Sequence, residues 1–284
     1  MNLLSLECCS YQRFWIPLTL IAALVLNCED SVSAQGRLLT PDLFAIDHAN
    51  DNSRIPDSTV RSSPSRLSGR PYVLILPGIL GEQIWDRRIG QGLVQSGLEA
   101  DIEIYDWTRG PMMMVANIGG DGNEVTKLIH SIQKFKQLHP QRPLTMIGHS
   151  GGCRMVVRVL ESLRDDALVD RAILLSPGLE SSYDIGVALD NTQQGIVSYY
   201  SPLDFPISAP LTFARGLTQM RLDRSAATFG FEHSRCCETT DRQDKPELVQ
   251  LTFRPDMLST GNTGGHFGWT VPRFVAQHIV PWLR

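Results

Sequence analysis

The sequence predicts an α/β protein with a mainly parallel central sheet and helices on both of its faces. Short apolar runs alternate along the chain with segments of helical periodicity. Strands that alternate with helices imply right-handed crossovers and a parallel sheet. The apolar runs are continuous, as expected of strands that are buried on both faces of such a sheet.

Composition favours one large globular domain. The 284 residues include 26 Lys and Arg against 30 Asp and Glu, and 42% of them are hydrophobic. A disordered chain would have lower hydrophobicity and a larger net charge, and a general nucleic-acid binder would normally be basic. A chain of this size buries about three quarters of its unfolded surface, so its core requires neither disulfides nor a structural metal.

Residues 1–34 are predicted to be a signal peptide. The apolar run Phe14–Leu26 follows Arg13 and is short for a membrane span but suited to a signal-peptide core. Small residues lead up to Ala34, so cleavage after Ala34 and export to the periplasm or the extracellular space are expected. The alternative is an uncleaved segment that associates the protein with a membrane.

Residues 35–70 are predicted to form a polar arm or linker, because they are rich in Ser, Arg, Asp, Asn and Pro. The globular α/β domain is expected over residues 71–284. Within it, residues 205–247 have no clear periodicity and are interpreted as a lid or a surface excursion. Cys153 is predicted to be a buried small apolar residue, and the alternative is a disulfide with the neighbouring pair Cys236 and Cys237.

Six apolar runs are predicted to be strands: Tyr72–Leu76, Ile102–Trp107, Leu144–Gly148, Ala172–Leu175, Ile196–Tyr200 and Leu248–Phe253. Helical periodicity extends over Asn123–Leu138, Arg154–Leu163 and Val271–Leu283. In the first of these segments, apolar residues recur at spacings of three and four, which places them on one buried helix face.

The strongest motif is Gly148-His149-Ser150-Gly151-Gly152, which matches the pattern G-x-S-x-G. It directly follows an apolar strand and precedes a helix, so a tight turn would hold Ser150 in a strained conformation at the tip of the sheet. Side chains at positions 148 and 152 would collide in such a turn. The nearby helix N-terminus favours developing negative charge. We therefore predict Ser150 as a catalytic nucleophile; the alternative is a structural turn serine.

A serine hydroxyl requires a base to take its proton, and His266 is the predicted base. His266 stands in the glycine-rich loop Thr263–Trp269, between the last strand and the last helix. In a parallel sheet such loops gather at the carboxyl ends of the strands, which is the edge where Ser150 is expected. His233 is the alternative base.

The base in turn requires a carboxylate that orients it, and Asp204 is the predicted acid. Asp204 comes just beyond the fifth predicted strand and therefore reaches the same edge of the sheet. The chain order Ser150, Asp204, His266 is the order found on sheets of this type. Glu180 and Asp184, which follow the fourth strand, remain the alternative acids.

Negative charge on the substrate oxygen requires two hydrogen-bond donors. The backbone N–H of Gly151 is one predicted donor of this oxyanion hole. The loop Pro77–Gly81, after the first strand, is expected to supply the other from Ile79, because the glycine before it allows a close approach. The alternative interpretation of Pro77-Gly78 is a simple turn.

Three segments carry a family resemblance: Leu76–Gly81, Tyr105–Trp107 and Gly148–Gly152. With them, the chain from Pro71 to Arg284 resembles the α/β-hydrolase superfamily, in particular the branch of lecithin:cholesterol acyltransferase and related lipases. That branch carries a Pro-Gly oxyanion loop and a Tyr-Asp-Trp strand end. The chain differs from it in being shorter, in lacking a recognisable large lid, and in having Thr108 where an arginine often follows the tryptophan. The resemblance implies ester cleavage or acyl transfer.

The resulting prediction is a serine hydrolase that cleaves carboxylic esters, an esterase or lipase, through an acyl-enzyme. This chemistry requires no metal and no organic cofactor. The expected partner is a small-molecule or lipid ester, and no nucleic acid is expected. The alternatives are an acyltransferase or thioesterase with the same triad, or a non-catalytic binding protein with a hydrolase fold.

Overall fold

The computed structural model describes residues 69–108, 122–163, 169–204, 224–232 and 246–284. All of these belong to one compact unit, Leu38–Arg284. A second unit, Met1–Arg37, lies outside the described residues. So do the predicted signal peptide, all of the predicted arm except Gly69 and Arg70, and most of the predicted lid. No helix in the described ranges is long and apolar enough to cross a membrane.

Six parallel strands form one sheet in the order β2-β1-β3-β4-β5-β6, which confirms the predicted fold class. The strands are β1 Tyr72–Leu76, β2 Asp101–Ile104, β3 Leu144–His149, β4 Arg171–Leu175, β5 Ile196–Tyr200 and β6 Leu248–Thr252. Five of the six match the predicted runs closely. The second prediction was too long, because Tyr105, Asp106 and Trp107 have left the strand.

The strand register brings three loops to one level at the carboxyl edge of the sheet. Leu76 at the end of β1 pairs with Gly148 on β3, and His149 pairs with Leu175 at the end of β4. The loop after β1, the serine turn after β3 and the loop after β4 therefore leave the sheet side by side, where ligand sites of parallel sheets are found.

The α-helices within the described ranges are α1 Ile84–Gln95, α2 Gly122–Leu138, α3 Gly151–Ser162, α4 Gly186–Asp190, α5 Ala226–Phe229 and α6 Pro272–Phe274. Short 3-10 helices cover Pro202–Asp204, Pro255–Thr260 and Gly268–Thr270. The predicted helices at 123–138 and 154–163 correspond to α2 and α3.

Helix α1 was not predicted, although the sequence contains features typical of a helix start and of a buried helix face. The Gln83 backbone N–H donates a 2.9 Å hydrogen bond to Asp86 Oδ2, which satisfies a free donor at the helix start. Ile89 and Leu93, four residues apart, are fully buried on the inner face of the helix.

Helices cover both faces of the sheet, as predicted. On β1, Leu74 and Leu76 face a core with α2 and α3, whereas Val73 and Ile75 face a second core with α1 and the C-terminal segment. Burial of one such aliphatic side chain contributes roughly 1.5–3 kcal/mol. Two apolar layers therefore hold the sheet and fix the positions of its strand ends.

The C-terminal segment is not the single helix that its periodicity predicts. After α6 it continues as a π-helix over Val275–Ile279 and a 3-10 helix over Val280–Leu283. Pro281 lacks a backbone N–H and cannot donate to a carbonyl one turn earlier, so a regular α-helix cannot continue through it. The hydrogen-bond pattern changes on either side of Val280 instead.

Buried ion pairs lie at the amino edge of the sheet. Lys136 Nζ is 3.0 Å from Asp170 Oδ2, with side-chain exposures of 8% and 15%. The same carboxylate oxygen accepts a 2.7 Å hydrogen bond from the Leu144 N–H at the start of β3. Arg142 pairs with Asp101 at the start of β2. These pairs join α2 and the connections into β3 and β4 to the sheet.

Candidate active site

Ser150 lies in a strained turn between β3 and α3. Its backbone angles, φ 54° and ψ −117°, fall in a region that L-residues rarely adopt. The Ser150 N–H donates to the Leu175 carbonyl at 2.9 Å, and the Ser150 carbonyl accepts from the Gly178 N–H at 2.9 Å. Backbone hydrogen bonds on both sides of Ser150 hold this strained conformation. The Ser150 side chain is half-buried at the carboxyl edge of the sheet.

Two glycines of the serine motif are required by close backbone contacts. A Cβ on Gly148 would lie 2.6 Å from the Cα of Cys153, and a Cβ on Gly152 would overlap the carbonyl oxygen of Leu76 on β1. The first clash agrees with the predicted crowding inside the turn. The second involves the neighbouring strand, which the sequence pattern did not indicate.

A serine in a strained strand-to-helix turn, at the carboxyl edge of a parallel sheet with helices on both faces, characterises one fold. The chain has the α/β-hydrolase fold.

The loop after β1 lies against this serine. A Cβ on Gly78 would be 3.5 Å from Ser150 Cβ and 3.9 Å from its Oγ. A Cβ on Gly151 would be 3.1 Å from the backbone nitrogen of Ile79. The two backbone amides predicted as oxyanion donors are therefore neighbours next to the hydroxyl. Among the described residues, the Ile79 N–H has no acceptor.

His266 and Asp204 form a buried hydrogen-bonded pair. His266 Nδ1 lies 2.9 Å from Asp204 Oδ1 and 3.0 Å from Oδ2. The aspartate is completely buried and the histidine is 6% exposed. Because the carboxylate accepts the proton on Nδ1, the other ring nitrogen, Nε2, is left to act as a base.

The His266 ring lies beside the serine turn. Its centroid is 5.3 Å from that of His149, the residue that precedes Ser150, and 5.1 Å from that of Phe267. Trp85 on α1 stacks on Phe267 at 4.2 Å. Within the described ranges, no hydrogen bond joins Ser150 Oγ to His266. Hydrogen bonds of this kind are often long in free enzymes and tighten only when substrate binds.

A second buried His–Asp pair was not anticipated. His149 Nδ1 is 3.4 Å from Asp86 Oδ1, and both side chains are at most 3% exposed. His149 Nε2 lies 3.5 Å from the carbonyl oxygen of His266. The His149 ring therefore lies between α1 and the backbone of the His266 loop. The sequence signal for this pair was Asp86, an acidic residue in the first turn of α1.

The two alternative acids have other partners than His266 in the described part of the chain. Asp184 Oδ1 accepts a 2.9 Å hydrogen bond from the Gly186 N–H at the start of α4, and Glu180 forms a backbone bridge with Ser225. His233 lies outside the described residues. Of the candidates that the structure describes, Asp204 alone is bonded to the predicted base.

Cys153, three residues after Ser150, is a free and completely buried thiol, in agreement with its predicted role. Burial raises the pKa of this thiol far above its ordinary value. It therefore stays protonated and is no second nucleophile at neutral pH. In the described ranges, no group of three His, Cys, Asp or Glu side chains is placed to hold a metal ion.

Comparisons with known proteins give low similarities. No family model and no curated protein sequence matches the chain. Among solved structures, a putative α/β-superfamily hydrolase from Xanthomonas campestris is 14% identical, with 75% of this chain and 99% of that chain covered and a TM-score of 0.42. Lipase B from Aspergillus fumigatus is 10% identical, with coverages of 74% and 51% and a TM-score of 0.42. A carboxylesterase from Bacillus subtilis is 13% identical, with coverages of 75% and 84% and a TM-score of 0.37. Identities this low assign no activity to the chain.

Proposed function

We propose that the protein is a serine hydrolase that cleaves carboxylic esters through an acyl-enzyme. The observation that carries the proposal is the buried hydrogen bond between His266 Nδ1 and Asp204, formed at the edge of the sheet where the strained Ser150 stands. A histidine whose Nδ1 proton is held by a carboxylate can take a hydroxyl proton at Nε2.

In the first half of the reaction, Ser150 Oγ attacks the ester carbonyl while His266 Nε2 takes the serine proton. The Asp204 carboxylate stabilises the imidazolium that forms. The carbonyl oxygen becomes negative and is stabilised by the N–H groups of Gly151 and Ile79. His266 then donates its proton to the alcohol, which leaves.

In the second half, the acyl group remains on Ser150 as an ester. Water attacks this ester while His266 takes one of the water protons, and the same two N–H groups stabilise the negative oxygen again. Collapse of the intermediate releases the carboxylic acid, and the proton returns from His266 to Ser150 Oγ. None of these steps involves a metal or an organic cofactor.

Hydrolysis of p-nitrophenyl esters of graded acyl length tests the proposal. The wild type should turn over, and Ser150→Ala should lose activity by a factor of about 10⁴ or more because the nucleophile is gone. Ser259→Ala is the matched control, since the Ser259 hydroxyl is exposed and bonds only the Asp256 carbonyl within the described residues. It should retain full activity.

The same assay distinguishes the related activities. A preference for long acyl chains would indicate a lipase, and a preference for short chains an esterase. Faster release of nitrophenol with added alcohols, accompanied by new ester products, would instead indicate acyl transfer. A folded wild-type protein that hydrolyses none of these esters or the corresponding thioesters, and that does not react with a fluorophosphonate probe at Ser150, would contradict the proposal.

A further inference from the structure

The loop Pro77–Gly81, which carries Ile79, is called the oxyanion loop below. The segment after β2, residues 105–108, contacts this loop at its first residue, Pro77, and contacts Glu82, the residue that follows the loop. We propose that Asp106 and Trp107 are positioning residues that set the place of the Ile79 N–H. The inference rests on the proposed function, in which this N–H stabilises the negative oxygen.

Trp107 contacts the beginning of the loop. Its indole Nε1–H donates a 2.8 Å hydrogen bond to the carbonyl oxygen of Pro77, the first residue after β1. The Trp107 side chain is half-buried and also packs against the core on one face of the sheet. Because the carbonyl of Pro77 belongs to the peptide bond that leads into Gly78, this hydrogen bond orients the backbone one residue before Ile79.

Asp106 contacts the residue that follows the loop. Its Oδ2 accepts a 3.1 Å hydrogen bond from the Glu82 N–H. Its Oδ1 accepts from the N–H and the hydroxyl of Thr108, at 2.9 Å and 2.7 Å. Each carboxylate oxygen therefore has its own partners, and Thr108 fixes the orientation in which the other oxygen faces the loop.

Gly81 allows the carboxylate to lie directly against the loop. Its φ is +79°, and a Cβ at this position would be 2.7 Å from both Asp106 Oδ2 and Thr108 Oγ1. The Gly81 N–H also closes a turn onto the Gly78 carbonyl at 3.0 Å. Any side chain at position 81 would be strained and would push the carboxylate away from Glu82.

Burial by itself would raise the pKa of Asp106, but the hydrogen bonds from Thr108 and from the Glu82 N–H outweigh it and lower the pKa below its ordinary value. The group is therefore ionised at neutral pH. An ionised carboxylate only accepts hydrogen bonds, which matches the three donors around it.

The two contacts connect the backbone on either side of Ile79, at Pro77 and Glu82, to the segment 105–108. The segment 105–108 is anchored to β1, because the Tyr105 N–H donates to the Ile75 carbonyl at 2.9 Å. A displacement of a reacting group by about 1 Å can cost up to 100-fold in rate. Loss of either contact should leave the oxyanion donor present but less well placed.

The test compares Trp107→Phe and Asp106→Asn with the wild type. Phenylalanine keeps an aromatic ring and loses the indole N–H, and asparagine keeps the size but replaces one acceptor oxygen by a donor. We expect kcat for a p-nitrophenyl ester to fall about tenfold and KM to stay within twofold, because the lost stabilisation belongs to the transition state. Active-site titration corrects each kcat for the folded fraction.

Trp282→Phe is the matched control. The Trp282 indole donates a 3.0 Å hydrogen bond to the hydroxyl of Tyr199 on β5, and β3 and β4 separate β5 from β1, the strand that leads into the oxyanion loop. This variant loses an equivalent hydrogen bond and should keep its kcat. If Trp282→Phe loses as much kcat as Trp107→Phe, the effect is general and the positioning role is overturned.

Two further measurements do not depend on turnover. Amides of the segment 78–82 should exchange with deuterium at least fivefold faster in Trp107→Phe and Asp106→Asn. Affinity for an alkyl boronic acid, which forms a tetrahedral adduct on the serine, should fall by about the same factor as kcat.

The outcomes separate the inference from the proposed function. If the wild type hydrolyses esters and both variants retain kcat and boronate affinity, the positioning role is overturned and the hydrolase function stands. If the wild type neither hydrolyses esters nor binds the boronic acid, the proposed function fails, and the inference fails with it because there is no oxyanion to stabilise.

Discussion

The two edges of the sheet use buried polar groups in different ways. At the amino edge, Lys136 and Asp170 pair across elements that start or end there, and each has further backbone partners. At the carboxyl edge, Ser150 and Ser176 are the two residues other than glycine with positive φ in the described part of the chain. Both of these residues lie at the carboxyl edge. In the described ranges, the amino edge has no residue other than glycine with positive φ.

This difference separates stability from chemistry along the same strands. A buried ion pair is strongly destabilising to break, because removal of one partner leaves the other charge buried. A strained serine lowers stability but exposes its hydroxyl at a helix N-terminus. We infer that the ion pairs at the amino edge help to hold the sheet together. The strained turn at the carboxyl edge lowers the free energy of unfolding and offsets part of their effect.

The largest effect is expected at the carboxyl edge from Asp204→Asn. The amide cannot hold His266 in the tautomer that leaves Nε2 unprotonated, so kcat should fall by roughly 10⁴ while the protein stays folded. Steady-state kinetics measures the loss, and circular dichroism checks the fold. Asp256→Asn, on an exposed carboxylate outside the site, is the matched control. A loss of less than tenfold would show that Asp204 does not orient the base.

The next effect is expected at the amino edge from Asp170→Ala. The change removes the partner of the buried Lys136 and the acceptor of the Leu144 N–H, so the free energy of unfolding should fall by about 3–5 kcal/mol. Urea unfolding measures it. Asp190→Ala, on an exposed residue of α4, should change stability by at most about 0.5 kcal/mol.

The amino-edge variant should not affect the chemistry. The kcat of Asp170→Ala, corrected for the folded fraction, should stay within about twofold of the wild type, because the ion pair and the serine lie at opposite ends of the strands. A specific loss of kcat in the folded protein would show that the two edges are coupled, which would contradict the separation of stability from chemistry.

A smaller effect, of opposite sign, is expected from Ser150→Gly. Glycine adopts φ 54° and ψ −117° readily, so relief of strain should stabilise the fold by about 1 kcal/mol while turnover is lost. Ser150→Ala is the control, since alanine loses the hydroxyl but keeps the strain. Thermal unfolding should rank the glycine variant above both alanine and wild type; equal midpoints would mean that the turn stores no measurable strain.

The smallest effect concerns pH and Asp106. Because its pKa in the folded protein is below the ordinary value of 3.8, its hydrogen bonds contribute stability at pH values above 3.8 and lose it as the pH falls through the folded pKa. The stability difference between wild type and Asp106→Asn should therefore be present at pH 7 and shrink below about pH 3.8. Urea midpoints at pH 7 and pH 2.5 measure it. A difference that grows in acid would contradict the ionised carboxylate.

Local sequence patterns predicted the strands of the sheet well, and they led to the candidate site residues through their places after those strands. Strands such as Tyr72–Leu76 are continuous apolar runs, because burial on both faces of a parallel sheet leaves no polar position. Ser150 stands out because its turn requires glycines two positions before and after it. Asp204 and His266 were predicted from their places after β5 and β6, and the hydrogen bond between them is present. Their catalytic roles remain a prediction.

Other features depend on contacts between residues that are distant in sequence. The hydrogen bond from Trp107 to the Pro77 carbonyl joins residues 30 positions apart, and the Asp86–His149 pair joins α1 to the serine turn. Neither segment by itself requires the other. The C-terminal segment is a different case, because its apolar spacing suggests one helix, whereas Pro281, which is visible in the sequence, prevents a regular α-helix from continuing.

The sequence by itself determined which segments become strands and where a serine can be held in a strained strand-to-helix turn, because burial and steric exclusion act on residues close together in the chain. Only the tertiary structure decided which donors and acceptors meet at the carboxyl edge. Hydrogen bonds require atoms to approach within about 3 Å, and that distance depends on how the whole sheet and both of its helical layers pack together.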